Sequence, residues 1–106
     1  MILPISNKIN RLPEGEYSGT IKSISVGKTN KYVWFAVDVD DLNVTLNTSM
    51  NVDYDIYSRF ISNFIDEKTN SVDSDDIIGQ RICFSLIDIK INDEIYSKFS
   101  SINIKE

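Results

Sequence analysis

The stretch KTNKYVWFAVDVDD, residues 28–41, decides how the chain is read. In an extended strand successive side chains point to opposite faces. Val33, Phe35, Val37 and Val39 then share one face, apolar throughout, which marks a strand lying on a core. The opposite face carries Tyr32, Trp34, Ala36 and Asp38, passing from two large aromatics to a carboxylate. It holds the only tryptophan in 106 residues and follows a basic turn, Gly27-Lys28-Thr29-Asn30-Lys31. A core on one side accounts for the valines; it does not account for the rings on the other.

Working outward, residues 16–26, EYSGTIKSISV, alternate with Tyr17, Gly19 and Ile21 on one parity and Ile24 and Val26 on the other. Such a change of parity predicts a β-bulge, and Gly19 is permissive for the bend. Residues 1–13, with Pro4 and Pro13, read as an N-terminal arm that pins Ile2, Leu3 and Ile5 against the core. After a tight reversal at residues 41–43, a third strand over 43–49 places Val44 and Leu46 inward and Asn43, Thr45 and Asn47 outward. Three strands with short turns predict an antiparallel meander. The period then changes: in residues 53–67 apolar side chains fall at Tyr57, Phe60, Ile61 and Phe64. That spacing predicts an amphipathic helix of about 14 residues, with Asp53 as N-cap and Asp55 in its first turn, stopping near Lys68.

Ser74-Asp75-Asp76 reads as a capped single turn leading to Gly79. A fourth strand over 80–91 switches its apolar set from Ile82, Phe84 and Leu86 to Ile87, Ile89 and Ile91, predicting a bulge or a strand covered on both faces. Asn92-Asp93 forms a hairpin turn into a last strand over 94–104, which changes parity between Phe99 and Ile102. The order β-β-β-α-β-β, with long bulged strands suited to a curling sheet, predicts a mainly β chain. Its expected architecture is a five-stranded OB-fold Greek-key barrel with one helix between strands 3 and 4, as a single domain over 1–106.

Composition narrows the chemistry. The 42% hydrophobic and 25% charged content suits a globular domain. Cys83, the single cysteine, lies in an apolar run and reads as a small core residue, so a reducing compartment fits. The start, MILPISNK, has no charged lead and too short an apolar run for a secretory signal, and no segment approaches a membrane span. The expected location is cytoplasmic. No histidine is present, which removes the commonest general base and transition-metal ligand. The glycines at 15, 19, 27 and 79 are scattered and make no phosphate loop. The acids Asp38, Asp40 and Asp41, and Asp73, Asp75 and Asp76, read as solvated turns, because the calcium-loop spacing with its distal glutamate is missing. Neither an enzyme, nor a cofactor, nor a bound metal is expected.

Binding is the remaining class. Residues 1–34 hold five basic against two acidic side chains, +3, while residues 35–106 hold six against 14, −8, giving the net −5. A small basic face on a repulsive body confines anion binding to one place. Single-stranded nucleic acid is held by stacking on exposed rings above a cationic track. Tyr32 and Trp34 would be the stacking platform, with Lys22, Lys28 and Lys31 facing phosphates. Asn43, Thr45 and Asn47 would offer hydrogen bonds, and Lys90, Tyr96 and Lys98 lie on or near the far hairpin. Tyr54 and Tyr57 are assigned to helix packing, and Asp38 and Asp40 restrict the footprint to the Tyr32 end. The rival reading is an acidic protein-interaction module, an inhibitor or DNA mimic, with Tyr32 and Trp34 as its hot spot. A homodimer would pair through the edge of the first strand or of the fourth and fifth.

Three segments, GEYSGTIKSIS, YVWFAVDVD and DIIGQRICFSLIDIKINDEIYSKFSSINI, together resemble small OB-fold single-stranded DNA-binding proteins of phages and mobile elements. The likeness spans about residues 14–104 and rests on a G-x-Y-x-G-x-I opening strand, an aromatic second strand and the Ile77-Ile78-Gly79-Gln80 step before strand 4. The resemblance implies single-stranded DNA binding in replication or recombination, with proteins of those processes as partners. The sequence departs from it in having only Lys105-Glu106 after the last strand instead of a long acidic tail, so recruitment through a tail does not carry over.

Overall fold

A computed structural model describes residues 1–3 and 7–105. Its strands are β1 (Lys8–Ile9), β2 (Gly15–Val26), β3 (Tyr32–Val39), β4 (Val44–Asn51), β5 (Arg81–Ile91) and β6 (Glu94–Ile104), with one helix, α1 (Asp55–Ile61), between β4 and β5. The fold is mainly β, as the alternation predicts. The six strands form one open sheet in the order β1-β4-β3-β2-β5-β6. All neighbours run antiparallel except β1, which lies parallel to β4 through Lys8–Thr45 and Ile9–Leu46.

This differs from the expected five-stranded closed barrel in two ways. Part of the arm is a strand, and among the described residues no ladder joins the two ends of the sheet. The ends are instead tied by single hydrogen bonds through the segment after β1. The Ser97 amide donates to the Asn10 carbonyl (3.0 Å), and the Thr48 hydroxyl donates to the Ser97 carbonyl (3.0 Å). The Ser97 hydroxyl accepts from the Leu12 amide (2.8 Å) and donates to the Leu12 carbonyl (3.1 Å). The arm's apolar anchors are Ile9 and Leu12. Ile2 and Leu3, expected on the core, are exposed, and Ile5 lies outside the described residues. Of the expected pairing edges, β2 lies between β3 and β5, and β5 between β2 and β6, while β6, the expected fifth strand, is an edge of the sheet.

The valine face of β3 seeds the core. Phe35 is its centre, edge-on to Phe60 of α1 and Phe99 of β6, each with ring centroids 6.3 Å away. The parity change in β2 is a bulge at Lys22, since Ile21 pairs with Val37 and Ser23 with Ala36. A second bulge sits on β6 at Ser100, opposite Ser85 and Leu86. This placement corrects the reading of the fourth strand: β5 keeps its parity. Ile82, Phe84 and Leu86 are buried, whereas Ile87 and Ile91 are on the outer face and exposed. The same alternation puts Cys83 outside, exposed, and not in the core.

The helix is shorter than its periodicity. Seven α-helical residues run into a 3-10 turn, Ser62–Phe64. Asp53 is not the cap: its amide is held by the Asn51 side chain (2.9 Å), and Tyr54, still extended, precedes the first helical residue. At the other end Ser62 donates to the Arg59 carbonyl (2.6 Å) and the Asn63 amide to the Phe60 carbonyl (3.0 Å). Side chains that take the last carbonyls compete with continued helix. The expected turn at residues 74–76 is present, capped by the Asp73 carboxylate accepting from the Asp75 amide (2.9 Å).

Beyond β3, Asp40 fastens the outer side of the sheet. Its carboxylate takes both terminal nitrogens of Arg81, one at 2.7 Å, and the Ser18 hydroxyl (2.8 Å). These bonds, Arg81 first and Ser18 second, hold the Asp40 carboxyl well below the usual carboxylate range, against the opposing effect of burial. A depressed native pKa stabilises the fold above the unfolded value of about 3.9 and is lost as pH falls through the native one. The stability gap between wild type and Arg81→Gln should therefore be full at pH 7 and narrow steadily below about pH 4. Urea unfolding at pH 7 and pH 2.5 checks this; a gap equal at both would show that the pair contributes nothing through Asp40 ionisation.

Candidate functional site

The outward face of β3 grades as the sequence indicates, and the register explains why its rings stay open. Trp34 is flanked by Ser25 on β2 and Ser49 on β4, two side chains too small to cover an indole. Tyr32 lies beside Asn51 on β4. The two rings remain 44% and 47% exposed, far above the 0–6% of the valine face, so neither belongs to the core.

The far wall comes from the β5–β6 hairpin, turned at Asn92 and Asp93 with φ of 50° and 68°. Ile89 pairs with Tyr96 and Ile87 with Lys98, which places Ile89, Ile91, Tyr96 and Lys98 on one parity. Together with Tyr32, Trp34, Tyr54, Asn10 and the β4 residues 47–49 and 51, all but Ile87 enclose a groove of about 380 Å³. Thr48 and Ser97, the pair that ties the ends of the sheet, also line it. The groove thus lies in the seam the ladders leave open. Among the described residues that line it, Lys98 is charged and none is acidic.

Local chemistry sets what each wall offers. The Lys98 ammonium sits 4.2 Å from the centre of the Tyr54 ring, a cation–π contact that holds it at the groove. The Tyr96 hydroxyl donates to Glu94; that bond, with burial, raises its pKa above the ordinary tyrosine value. Tyr96 therefore presents its ring and keeps its proton. Burial alone raises Tyr57, which packs under the helix as expected.

Of the residues singled out in the sequence, Tyr32, Trp34, Asn47, Tyr96 and Lys98 come together here. The others do not. Lys22, on its bulge, and Asn43, in a left-handed turn (φ 51°), line a separate hollow with Asp38 and Thr45. Thr45 is buried and donates its hydroxyl to Asp38 (2.7 Å), which removes it as a ligand group. Lys28 and Lys31 are exposed in the turn before Tyr32, outside the lining. Lys90 pairs with Asp93 (3.7 Å) and has the parity opposite to Ile89 and Ile91.

Sequence reading missed Tyr54, Asn10, Ile89 and Ile91. The helical period assigns Tyr54 to helix packing, but the helix begins one residue later and leaves its ring at the groove. A run of isoleucines on the parity opposite to Ile82, Phe84 and Leu86 was the available signal for the hairpin wall.

Compared with protein-family models, with curated proteins and with solved structures, the chain finds no match in any of the three. Among the described residues no helix is long and apolar enough to cross a membrane.

Proposed function

We propose that this chain is a non-catalytic single-stranded DNA-binding protein of phage or mobile-element origin, acting in replication or recombination, whose sheet is an open variant of the OB barrel. One observation carries the reading: Tyr32, Trp34, Tyr54 and Tyr96 converge with Lys98 on a groove whose described lining has no carboxylate, in a chain of net charge −5. Every base has a π-face, so rings of this kind hold single strands with little regard to sequence. In OB folds, which are partly open barrels, oligonucleotides lie on the face of strands 2 and 3 and the loop between strands 4 and 5. Here the groove lies between β3 and β4 on one side and the β5–β6 hairpin on the other.

The electrostatics support the same reading. Residues 53–76 contain Asp53, Asp55, Asp66, Glu67, Asp73, Asp75 and Asp76 against Arg59 and Lys68, so this segment alone accounts for the net −5. None of these acids lines the groove. The same segment favours the rival reading, a module that docks a basic protein.

Titration with oligo-dT, followed by Trp34 fluorescence, separates the two. Quenching is expected, with a shallow log–log salt slope of about −0.7, since that value applies per phosphate contact on single strands and Lys98 is the charged side chain in the described lining. No quenching and no anisotropy change at tens of micromolar protein would sink the DNA reading and leave the aromatic groove as a protein-docking surface.

A further inference from the structure

Resting on that reading, we infer that Asn47 bonds to the edge of the base stacked on Trp34 and gives the groove a preference among bases.

Two shallower hollows adjoin the main groove. One runs along the arm past Arg11 and Asn10, and the other lies between Trp34 and the serines of β2, Ser23 and Ser25. Asn47 lines all three spaces. Whatever crosses from one to another passes its side chain.

The register leaves this amide open. On β3 its partner is Ala36, a methyl group that cannot bond to it or cover it. On the other side β1 ends at Ile9, opposite Leu46, one residue short of Asn47. Trp34 pairs with Ser49, so Asn47 is its diagonal neighbour, about 7–8 Å away and within reach of a long ring.

Of the other polar side chains of β4, Asn51 accepts from the Asp53 amide, Thr45 donates to Asp38 and Thr48 donates to Ser97, while Ser49, beside Trp34, offers a single hydroxyl and not an amide's separate donor and acceptor. Asn47 is half-buried, and its side chain makes no hydrogen bond among the described residues. Among the described residues no half-buried side-chain nitrogen or oxygen is both sealed from solvent and unpaired, so the polar atoms of this amide keep some exposure to solvent.

An asparagine amide presents a donor and an acceptor side by side. The Watson–Crick edge of an unpaired base presents the same kind of pair, free in a single strand. Adenine, cytosine and thymine each carry such a pair, at different distances from the sugar, so the base that places its pair within reach of the amide satisfies it. One whose edge does not match leaves it unpaired beside an indole that excludes water, and the binding energy falls. Stacking supplies affinity for any base; Asn47 supplies the difference between bases.

The test is anisotropy with labelled dT, dC and dA oligomers of equal length, for wild type and Asn47→Ala. The wild type should rank the three, and the variant should lose about fivefold for the preferred oligomer while staying within about twofold for the least preferred. The Asn47 side chain carries no hydrogen bond among the described residues, so the variant's thermal midpoint should not move. Equal loss for all three, or an unchanged ranking, overturns the role of Asn47 and leaves the groove reading standing. No binding by either protein overturns both.

Discussion

Gly19→Ala is expected to lower the free energy of unfolding by about 3 kcal/mol, the upper end for an overpacked interior. Gly19 lies in the middle of β2, between Val39 on β3 and Ile82 on β5, and is itself buried. A Cβ built there would stand 2.4 Å from the Asp38 carbonyl oxygen and 2.9 Å from Val37 Cγ1. The first of these is backbone in the neighbouring strand and cannot rotate away. Relief would require β2 and β3 to part at the base of the bulge, where both strands are already committed to ladders on either side. Glycine is therefore needed here for close approach, not for an unusual backbone angle. Urea unfolding followed by circular dichroism gives the difference directly; a loss under about 0.5 kcal/mol, the size of an ordinary surface substitution, would mean the strands separate at no cost.

The second large effect concerns the groove. Trp34→Ala should weaken oligo-dT binding roughly tenfold to hundredfold, since a stacked base is worth about 1–3 kcal/mol and each 1.4 kcal/mol is tenfold. The ring is nearly half exposed, and its neighbours Ser25 and Ser49 do not depend on it for cover, so the fold should tolerate the change. Lys90→Ala is the matched control: Lys90 pairs with Asp93 and lies on the face away from the groove, so affinity should stay within about twofold. Anisotropy with a labelled oligomer reads both. Equal effects of the two substitutions would show that binding is diffuse charge attraction and not stacking in the seam.

The parts of this molecule that were legible in advance are those where one residue decides its own conformation. The alternation of β3 sorted Val33, Phe35, Val37 and Val39 from Tyr32 and Trp34, because a strand has only two faces. The turns fell on Asn30, Asp41, Asn43, Asn70, Asn92 and Asp93, all with positive φ, because these side chains tolerate the left-handed region best after glycine. The bulge in β2 showed as a break in parity. Where local signals compete, periodicity alone does not set the bounds of an element. The helical period of residues 53–67 is genuine, but Asn51, Ser62 and Asn63 bond to backbone groups at its ends and cut it short.

Other features had no local signal. Nothing in Lys8-Ile9 announces a strand two residues long; it exists because the edge of β4 at Thr45 and Leu46 is there to receive it. The isoleucines of β5 could have been core or surface, and the bulge on the partner strand, at Ser100, settled which. The groove itself is a product of the seam. Tyr32 and Trp34 come from one strand and Tyr96 and Lys98 from another, more than sixty residues later in the chain. Sequence by itself determined which faces are apolar, where the chain turns and which rings had no place in the core, because those follow from side-chain period and backbone sterics alone. Only the tertiary structure decided that the sheet stays open, that the arm ties its ends, and that Tyr54, Asn47 and the hairpin meet the rings there, because these depend on contacts between residues the chain keeps far apart.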